Sequence, residues 1–240
     1  MSLSRRRIRA IVRKELRAYR RNRSITIGMS IIPLIFMVQP LVSVFALSSS
    51  AAAQLKEHHE LLYMLGIPAL VPGMLAAYAI VGERQEGTLE PVLSTPIRCE
   101  ELLLGKALGV LLPAVVVAYT VFCLFLALVI LFADPGVPSA LIRGPDIAAQ
   151  VIFTPLLAGW SIWLGIAIST RASDVRVAQQ FSVLASLPTI ALTTLIAYNV
   201  IHATLALAFA LTAALLLANR LGRRIVSALF DRERLIASAK

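Results

Sequence analysis

Residues 177–219 read VAQQFSVLASLPTIALTTLIAYNVIHATLALAFALTAALLLAN and include no Asp, Glu, Lys or Arg across 43 positions. At a rise of 1.5 Å per residue, a helix of this length extends about 64 Å, which is enough to cross a hydrocarbon core of roughly 30 Å twice. We therefore predict two transmembrane helices within this stretch, joined by a turn at residues 199–203.

Four more uncharged stretches each predict one transmembrane helix. They hold 22 to 32 residues each and span residues 24–55, 61–82, 107–133 and 147–170. Backbone groups within lipid must satisfy one another, and these stretches lack the short alternating strands of a barrel. The sequence thus predicts a single all-α integral membrane domain over residues 1–240, with six transmembrane helices within residues 24–219.

The composition excludes a soluble enzyme. Of the 240 residues, 58% are hydrophobic and 15% are charged, and the mean hydropathy is +0.82. A water-soluble globule of this composition would leave large apolar surfaces in contact with water. Six crossings also leave no room in this length for a second folded domain.

The distribution of basic residues predicts the orientation. If both termini are cytoplasmic, 21 of the 23 Lys and Arg residues lie on the cytoplasmic side, and only Lys56 and Arg143 lie outside. Cytoplasmic loops of membrane proteins carry an excess of Lys and Arg. We therefore predict a multi-pass protein of the cell membrane with both termini in the cytoplasm.

The two ends of the chain are basic. Within residues 1–23, arginines surround an apolar stripe at helical spacing, which predicts an amphipathic helix at the membrane interface; the stripe is Ile8, Ile11, Val12, Leu16 and Tyr19. Residues 220–240 are expected to form a basic cytoplasmic tail, which either lies on the membrane or on a partner or serves only as a positive-inside anchor. Neither end offers the stacking aromatics of a nucleic-acid interface, so no nucleic acid is expected.

The connection between the second and third predicted spans, residues 83–106, reads ERQEGTLEPVLSTPIRCEELLLGK. Gly87 can adopt the left-handed conformation that ends the inward extension of span two, and Thr88 is placed to cap a new short helix. Residues 94–96, Ser-Thr-Pro, end that helix, and Glu100 and Glu101 begin the helix that continues into span three.

The short helix has an apolar ridge and an acidic side. Leu89, Val92 and Leu93 lie on one face, which must be buried against another surface. Three acidic residues, Glu83, Glu86 and Glu90, form either a stripe that contacts arginines of a partner or a solvated face. Farther along, Gly105 and Gly109 form a small-xxx-small pair, which favours close helix packing.

This connection resembles the signature of ABC-2 family permeases, the membrane subunits of ATP-binding-cassette transporters. Members typically carry Glu-x-x-Glu-x-Gly-Thr-Leu-Glu, a Thr-Pro pair and a Gly-Lys at the start of span three. Here Gly87 directly follows Glu86, one residue tighter than that pattern, and the Lys14-Glu15-Leu16 triplet near the N-terminus is also similar. The resemblance rests on Glu83, Glu86, Thr88, Leu89, Glu90, Thr95, Pro96, Glu101, Gly105 and Lys106.

The resemblance implies a type II exporter-like fold and a division of labour. The short helix corresponds to the coupling helix, which sits in a cleft on a separate ATPase subunit, and residues 1–23 correspond to the elbow helix. Two permease chains, identical or similar, form a dimer around a central path. The residues implied in ATPase coupling are Glu83, Glu86, Gly87, Thr88, Leu89, Glu90, Val92, Leu93, Thr95, Pro96, Glu101, Gly105 and Lys106.

The chain lacks its own ATPase motif. Its Gly105-Lys106 pair is followed by Ala107, and Glu100 occupies the position of the first P-loop glycine. ATP and Mg²⁺ are therefore expected on the partner, with no cofactor or enzymatic activity in this chain. No charged residue lies within a predicted span, which argues against a proton-coupled transporter. A hydrophobic or amphipathic cargo such as a drug, antibiotic or lipid fits these apolar spans best.

Two alternatives are weaker. An intramembrane hydrolase could use Ser161 and His202, but Trp163 replaces the glycine expected two residues after the serine, and the predicted depths of the pair differ. Ser161 is better explained as a packing residue. A haem-exporter type permease is an alternative within the same broad family. His58 and His59 supply too few ligands for a metal site and are expected to be solvated loop residues.

Overall fold

The computed structural model describes residues 4–21, 23–46, 58–87, 97–134 and 136–229. These ranges contain helices and no strand. Within them the helices are α1 (Arg5–Arg21), α2 (Arg23–Ala46), α3 (Glu60–Tyr63), α4 (Gly66–Gln85), α5 (Cys99–Phe132), α6 (Val137–Leu141), α7 (Gly144–Ser169), α8 (Val175–Ala197) and α9 (Leu205–Leu229).

Five helical segments among the described residues are long and apolar enough to cross a membrane. They are Glu60–Gln85, Cys99–Phe132, Gly144–Ser169, Val175–Ala197 and Leu205–Leu229. The prediction of an all-α protein with several membrane-spanning helices is confirmed. The predicted first span, residues 24–55, overlaps α2, which ends at Ala46. Among the described residues the apolar helix found there is Ser30–Ala46, and residues 47–55 lie outside the described part of the chain.

The predicted turn in the longest uncharged stretch is confirmed. α8 ends at Ala197 and α9 begins at Leu205, and between them Asn199 adopts a positive φ of 55°. Asn is among the few residues that tolerate this left-handed conformation, which reverses the chain here. α9 then continues past Asn219 to Leu229, so the basic segment begins inside a helix.

α4 is the central helix of the bundle and packs most closely against α7. A Cβ atom on Gly165 of α7 would collide with the carbonyl oxygen of Gly73 in α4. At the same crossing the Ser161 hydroxyl accepts a hydrogen bond of 2.9 Å from the Gly73 amide. Small residues therefore let the two backbones touch, as is common between membrane helices.

α9 packs on α7 through two complementary pairs. The Asn219 side chain fills the space above Gly159 and donates a 2.9 Å hydrogen bond to the Leu156 carbonyl oxygen. One turn later, Gly222 accommodates the Trp163 side chain. These contacts lie in the second half of α9, so they anchor that half of the helix to α7.

A proline within α7 leads to a hydrogen bond between α5 and α7. Pro155 has no N–H, so the Val151 carbonyl oxygen four residues earlier loses its helical partner. The Tyr119 hydroxyl of α5 donates a 2.8 Å hydrogen bond to that oxygen. A neighbouring helix thus satisfies the carbonyl that proline leaves open, as lipid surroundings require.

Candidate functional site

α1 lies across the beginning of α5 because α5 presents two glycines there. A Cβ atom on Gly105 would come within 2.7 Å of the Ile11 Cβ, and one on Gly109 within 2.7 Å of the Glu15 Cβ. Any larger residue would push α1 away. The small-xxx-small pair therefore forms the helix contact that its spacing predicts, and the partner is the N-terminal helix.

Lys106 is the centre of a buried ionic network beside this contact. Its side chain is 2% exposed, and its Nζ donates hydrogen bonds to Glu15 Oε1 at 2.9 Å and to the Ala79 carbonyl oxygen at 2.8 Å. The same Nζ forms an ion pair with Glu83 Oε2 at 2.7 Å. The ammonium group thus has two hydrogen-bond acceptors and a second carboxylate in ion-pair contact, which offsets the cost of burying the charge.

The network extends to a second lysine. Lys14 of α1 donates from Nζ to Glu83 Oε1 at 2.7 Å, so Glu83 binds one lysine with each carboxylate oxygen. Two carboxylates and two ammonium groups therefore alternate across α1, α4 and α5 with no net charge. Burial and the adjacent Glu15 carboxylate raise the pKa of the Tyr19 hydroxyl well above its usual value, so this neighbour stays neutral.

Glu101 ties the start of α1 to the start of α5. Its carboxylate accepts hydrogen bonds from the Ser4 amide at 2.8 Å, from Arg7 Nη1 at 3.2 Å and from the Arg98 amide at 3.3 Å. Glu101 lies in the first turn of α5, where the helix dipole favours a negative charge. The prediction that Glu100 and Glu101 begin a helix running into span three is confirmed.

The end of α4 is held to the connection between α7 and α8. The Arg84 guanidinium donates to the Ala172 carbonyl oxygen at 3.1 Å and to the Ser169 carbonyl oxygen at 3.4 Å. Two residues beyond α4, Gly87 has a φ of +66°, the left-handed conformation predicted for it. The chain therefore turns away from α4 at Gly87. This residue follows Glu83 of the ionic network by four positions and Arg84, which binds the α7–α8 connection, by three.

The structure brings together four of the predicted site residues, Glu83, Glu101, Gly105 and Lys106, through their contacts with α1. Glu86 and Gly87 lie exposed just beyond α4 and take no part in that cluster. One residue of the predicted acidic stripe is already paired within the chain, because both carboxylate oxygens of Glu83 contact lysines of the same chain. Outside the described residues lie Thr88, Leu89, Glu90, Val92, Leu93, Thr95 and Pro96.

The chain matches a known family over most of its length. The family model described as "ABC-2 family transporter protein" matches residues 9–222. The chain belongs to this family. The match includes α1 from its second turn, all of α4 and α5, and most of α9. No curated protein matches this ABC-2 family chain.

Sequence reasoning missed how the N-terminal helix of this ABC-2 transporter contributes to the site. Glu15 and Lys14 were noted as part of a familiar triplet, but their partners lie 91 and 69 positions away along the chain. Two features of the sequence could have indicated this contact. Glu15 is an acidic residue on the apolar side of α1, and Lys106 is an isolated lysine directly after Gly105. A buried Glu on that side requires a cation.

The hydrolase alternative gains no support from the positions of its two residues. Ser161 is 2% exposed within α7 and binds the Gly73 amide, which agrees with its interpretation as a packing residue. His202 is exposed in the connection between α8 and α9. The expectation for His59 was wrong, because its Nδ1 lies 2.7 Å from Asp146 Oδ1 and its side chain is mostly buried.

Proposed function

We propose that this ABC-2 transporter chain is a permease subunit that works as a dimer with separate ATPase subunits, which bind ATP and Mg²⁺. It exports a hydrophobic or amphipathic substrate such as a drug, an antibiotic or a lipid. The observation that carries the proposal is the Lys106 network, which joins α1, α4 and α5 around the connection that contains residues 88–96.

The network gives that connection a mechanical role. In the sequence α4 precedes residues 88–96 and α5 follows them. α4 is bound to α1 through Glu83 and α5 through Glu101. A displacement applied to residues 88–96 therefore acts on three helices together. We propose that these residues form the coupling helix and that an ATPase subunit grips it through Leu89, Val92 and Leu93.

Transport then follows as a shift between two packings of the bundle. ATP binding brings the two ATPase subunits together, and the coupling helices move with them. In each permease α1, α4 and α5, which the Lys106 network holds together, then move as one unit. The substrate path opens to one side or the other depending on which packing is favoured. Because α1, α4 and α5 are linked by ion pairs and close packing, little of the motion is lost in bending.

The proposed placement in the membrane uses six spans. α2, with 24 residues, is about 36 Å long and supplies the first crossing, and both termini lie in the cytoplasm. α1 then lies at the cytoplasmic interface, with its apolar side on α5 and an exposed basic side towards anionic headgroups. The exposed basic side includes Arg6, Arg9, Arg13 and Arg17.

The test compares two added charges in the native complex. A tagged chain carrying Leu89→Asp is purified from native membranes, the co-purifying polypeptides are identified, and ATP hydrolysis is measured in nanodiscs. The matched control is Val200→Asp, which adds the same charge at an exposed residue of the α8–α9 connection. We expect Leu89→Asp to insert normally and to lower ATPase association at least tenfold, while Val200→Asp keeps it.

Two outcomes would overturn the proposal. One is an unmodified chain that transports its cargo with no ATPase subunit present. The other is equal ATPase association and equal ATP turnover in the Leu89→Asp and Val200→Asp complexes, because the grip on residues 88–96 is then not needed.

A further inference from the structure

α8 and α9 diverge from their short connection and leave a wedge between them. Both helices pack on α7, which forms the floor of the wedge, while α8 and α9 form its walls. The wedge is partly open and has a volume of about 910 Å³. Sites for small molecules typically measure about 300–1,000 Å³, so the wedge has room for a ligand.

The walls of the wedge are mostly aliphatic. Leucine, isoleucine and alanine side chains dominate all three sides, and Phe153 and Phe209 are the only Phe, Tyr or Trp residues among those lining it. Aromatic rings that would sandwich a flat polycyclic ligand are therefore scarce. Flexible hydrocarbon, which needs contact area but no stacking partner, matches this surface better.

The charged and imidazole side chains of the wedge, His59, Arg143 and Asp146, lie at one end, where α7 begins, and the deeper polar groups are threonine hydroxyls. His59 Nδ1 and Asp146 Oδ1 are 2.7 Å apart, and Arg143 Nη2 donates to the His58 carbonyl oxygen at 3.3 Å. The deep end is marked by Leu157 of α7. The cavity thus has a mouth with charged groups and an uncharged, mostly aliphatic interior.

The depth of the wedge matches one leaflet of a bilayer. From Asp146 to Leu157 α7 rises about 16 Å, roughly half of a hydrocarbon core of about 30 Å. The mouth, which holds a histidine, an arginine and an aspartate, then lies at the level of the lipid headgroups. Charged and polar side chains are accommodated at that level far more readily than at the bilayer centre.

We propose that the wedge binds the acyl chain of a phospholipid from the leaflet at the Asp146 end, with the headgroup beside the polar mouth. The chain enters between α8 and α9 and lies along α7. The site is separate from the ionic network at Lys106 and goes beyond the permease function proposed above. It depends only on the placement of α7, α8 and α9 in a membrane.

The first test is lipid retention measured by native mass spectrometry after extraction into a mild detergent. Ala208→Trp places a large ring inside the wedge, because Ala208 lines it. Ala210→Trp is the matched control, the same substitution at an exposed position of α9 that does not line the wedge. We expect the unmodified chain and Ala210→Trp to retain a phospholipid, and Ala208→Trp to retain at least fivefold less.

The second test locates the bound chain in the unmodified protein. A phosphatidylethanolamine with a diazirine on one acyl chain is reconstituted with the protein, irradiated, and the adducts are mapped. We expect adducts on residues that line the wedge, such as Ile152 and Leu211, in excess over the exposed side of α9. Ala149→Trp, on the α7 floor, repeats the retention test if Ala208→Trp lowers the melting temperature.

Neither measurement needs an ATPase subunit, so a failure here is distinguishable from a failure of the proposed function. Equal lipid retention by the wedge variants and the control would overturn the proposal. Adducts confined to the exposed side of α9 would overturn it as well, because the chain would then be lying on the protein surface and outside the wedge.

Discussion

The two ends of the bundle differ in how their helices are held together. At the Lys106 end, α1, α4 and α5 meet through ion pairs and a glycine contact that leaves no gap between α1 and α5. At the Asp146 end, α8 and α9 separate and leave a cavity of about 910 Å³. The fold therefore combines an end that ion pairs and close packing hold together, called the braced end below, with an open end where two helices diverge.

The same contrast appears in the exposure of whole helices. In the most apolar window of the segment containing α4, 89% of the residues are buried, whereas the corresponding share in α9 is 6%. α4 is therefore the most buried of the five segments, whereas α9 is mostly exposed. α9 contacts the bundle through Asn219 and Gly222 in its second half, and nearer its start through apolar side chains that pack on the cluster around Phe153 and Leu157; these are Leu207, Ala208, Leu211 and Leu215.

The largest expected effect comes from removing the central charge of the braced end. Lys106→Met leaves Glu15 and Glu83 buried without their cation, and breaking a buried ion pair in this way costs about 3–5 kcal/mol. We expect a matching fall in the free energy of unfolding, measured by denaturant titration in detergent micelles.

Lys14→Met is the matched control, since the Lys14 side chain is 51% exposed. Exposed ion pairs contribute about 1 kcal/mol or less. Equal losses of stability for Lys106→Met and Lys14→Met would contradict the claim that the buried ion pairs of Lys106 hold α1, α4 and α5 together.

A second change tests the glycine contact. Gly105→Ala adds a Cβ atom that would lie 2.7 Å from the Ile11 Cβ, and overpacking of this kind costs about 1–3 kcal/mol. We expect α1 to detach, so that trypsin cleaves at its arginines at least five times faster. Gly144→Ala is the control, because no atom lies within 4 Å of the Cβ it would add. Unchanged cleavage of Gly105→Ala would contradict the close packing.

A third change probes the open end. Asp146→Ala removes the partner of the mostly buried His59, and leaving a buried polar group without its hydrogen bond costs about 1–3 kcal/mol. We expect a lower melting temperature and weaker lipid retention, because the mouth of the wedge loses its order. Asp146→Asn keeps an acceptor and should lose less. If Asn and Ala variants behave alike, the hydrogen bond does not order the mouth.

The smallest effect is expected at the end of α4. Gly87 has a φ of +66°, and no atom of the described residues lies within 4 Å of the Cβ that an alanine would add, so Gly87→Ala introduces backbone strain at a cost of about 1 kcal/mol. Asn tolerates this conformation better, so Gly87→Asn should be milder. Circular dichroism melting of the two variants measures the difference, and an Ala variant as stable as the Asn variant would contradict it.

Much of the fold could be predicted from local sequence. The span at Cys99–Phe132, the turn near Asn199 and the left-handed Gly87 all depend on hydropathy, helix length or backbone preference over a few residues. Such signals are present in the sequence itself. The uncharged stretches nevertheless underestimated the helices, because charged residues such as Lys106 continue a helix when another helix covers them.

The ionic network and the His59–Asp146 pair could not be predicted because both join residues far apart in the chain. Lys106 and Glu15 are separated by 91 positions, and His59 and Asp146 by 87. The partners in these pairs are set by how the helices pack against one another, and helix packing cannot be predicted from a single sequence. His59 is expected from the sequence to be solvated because it lies in a predicted outer loop. In the structure it binds Asp146 at the start of α7, and its amide donates to the Ala197 carbonyl oxygen at the end of α8 at 2.7 Å.

The most direct test of the braced end is a distance measurement by pulsed electron paramagnetic resonance. Spin labels on Arg13 and Leu108 report the α1–α5 distance, and labels on Leu187 and Leu216 report the α8–α9 distance; all four positions are exposed. The account predicts that nucleotide trapping of the native ATPase complex leaves the α1–α5 distance unchanged while the α8–α9 distance shifts. A changed α1–α5 distance would contradict the claim that these helices move as one unit.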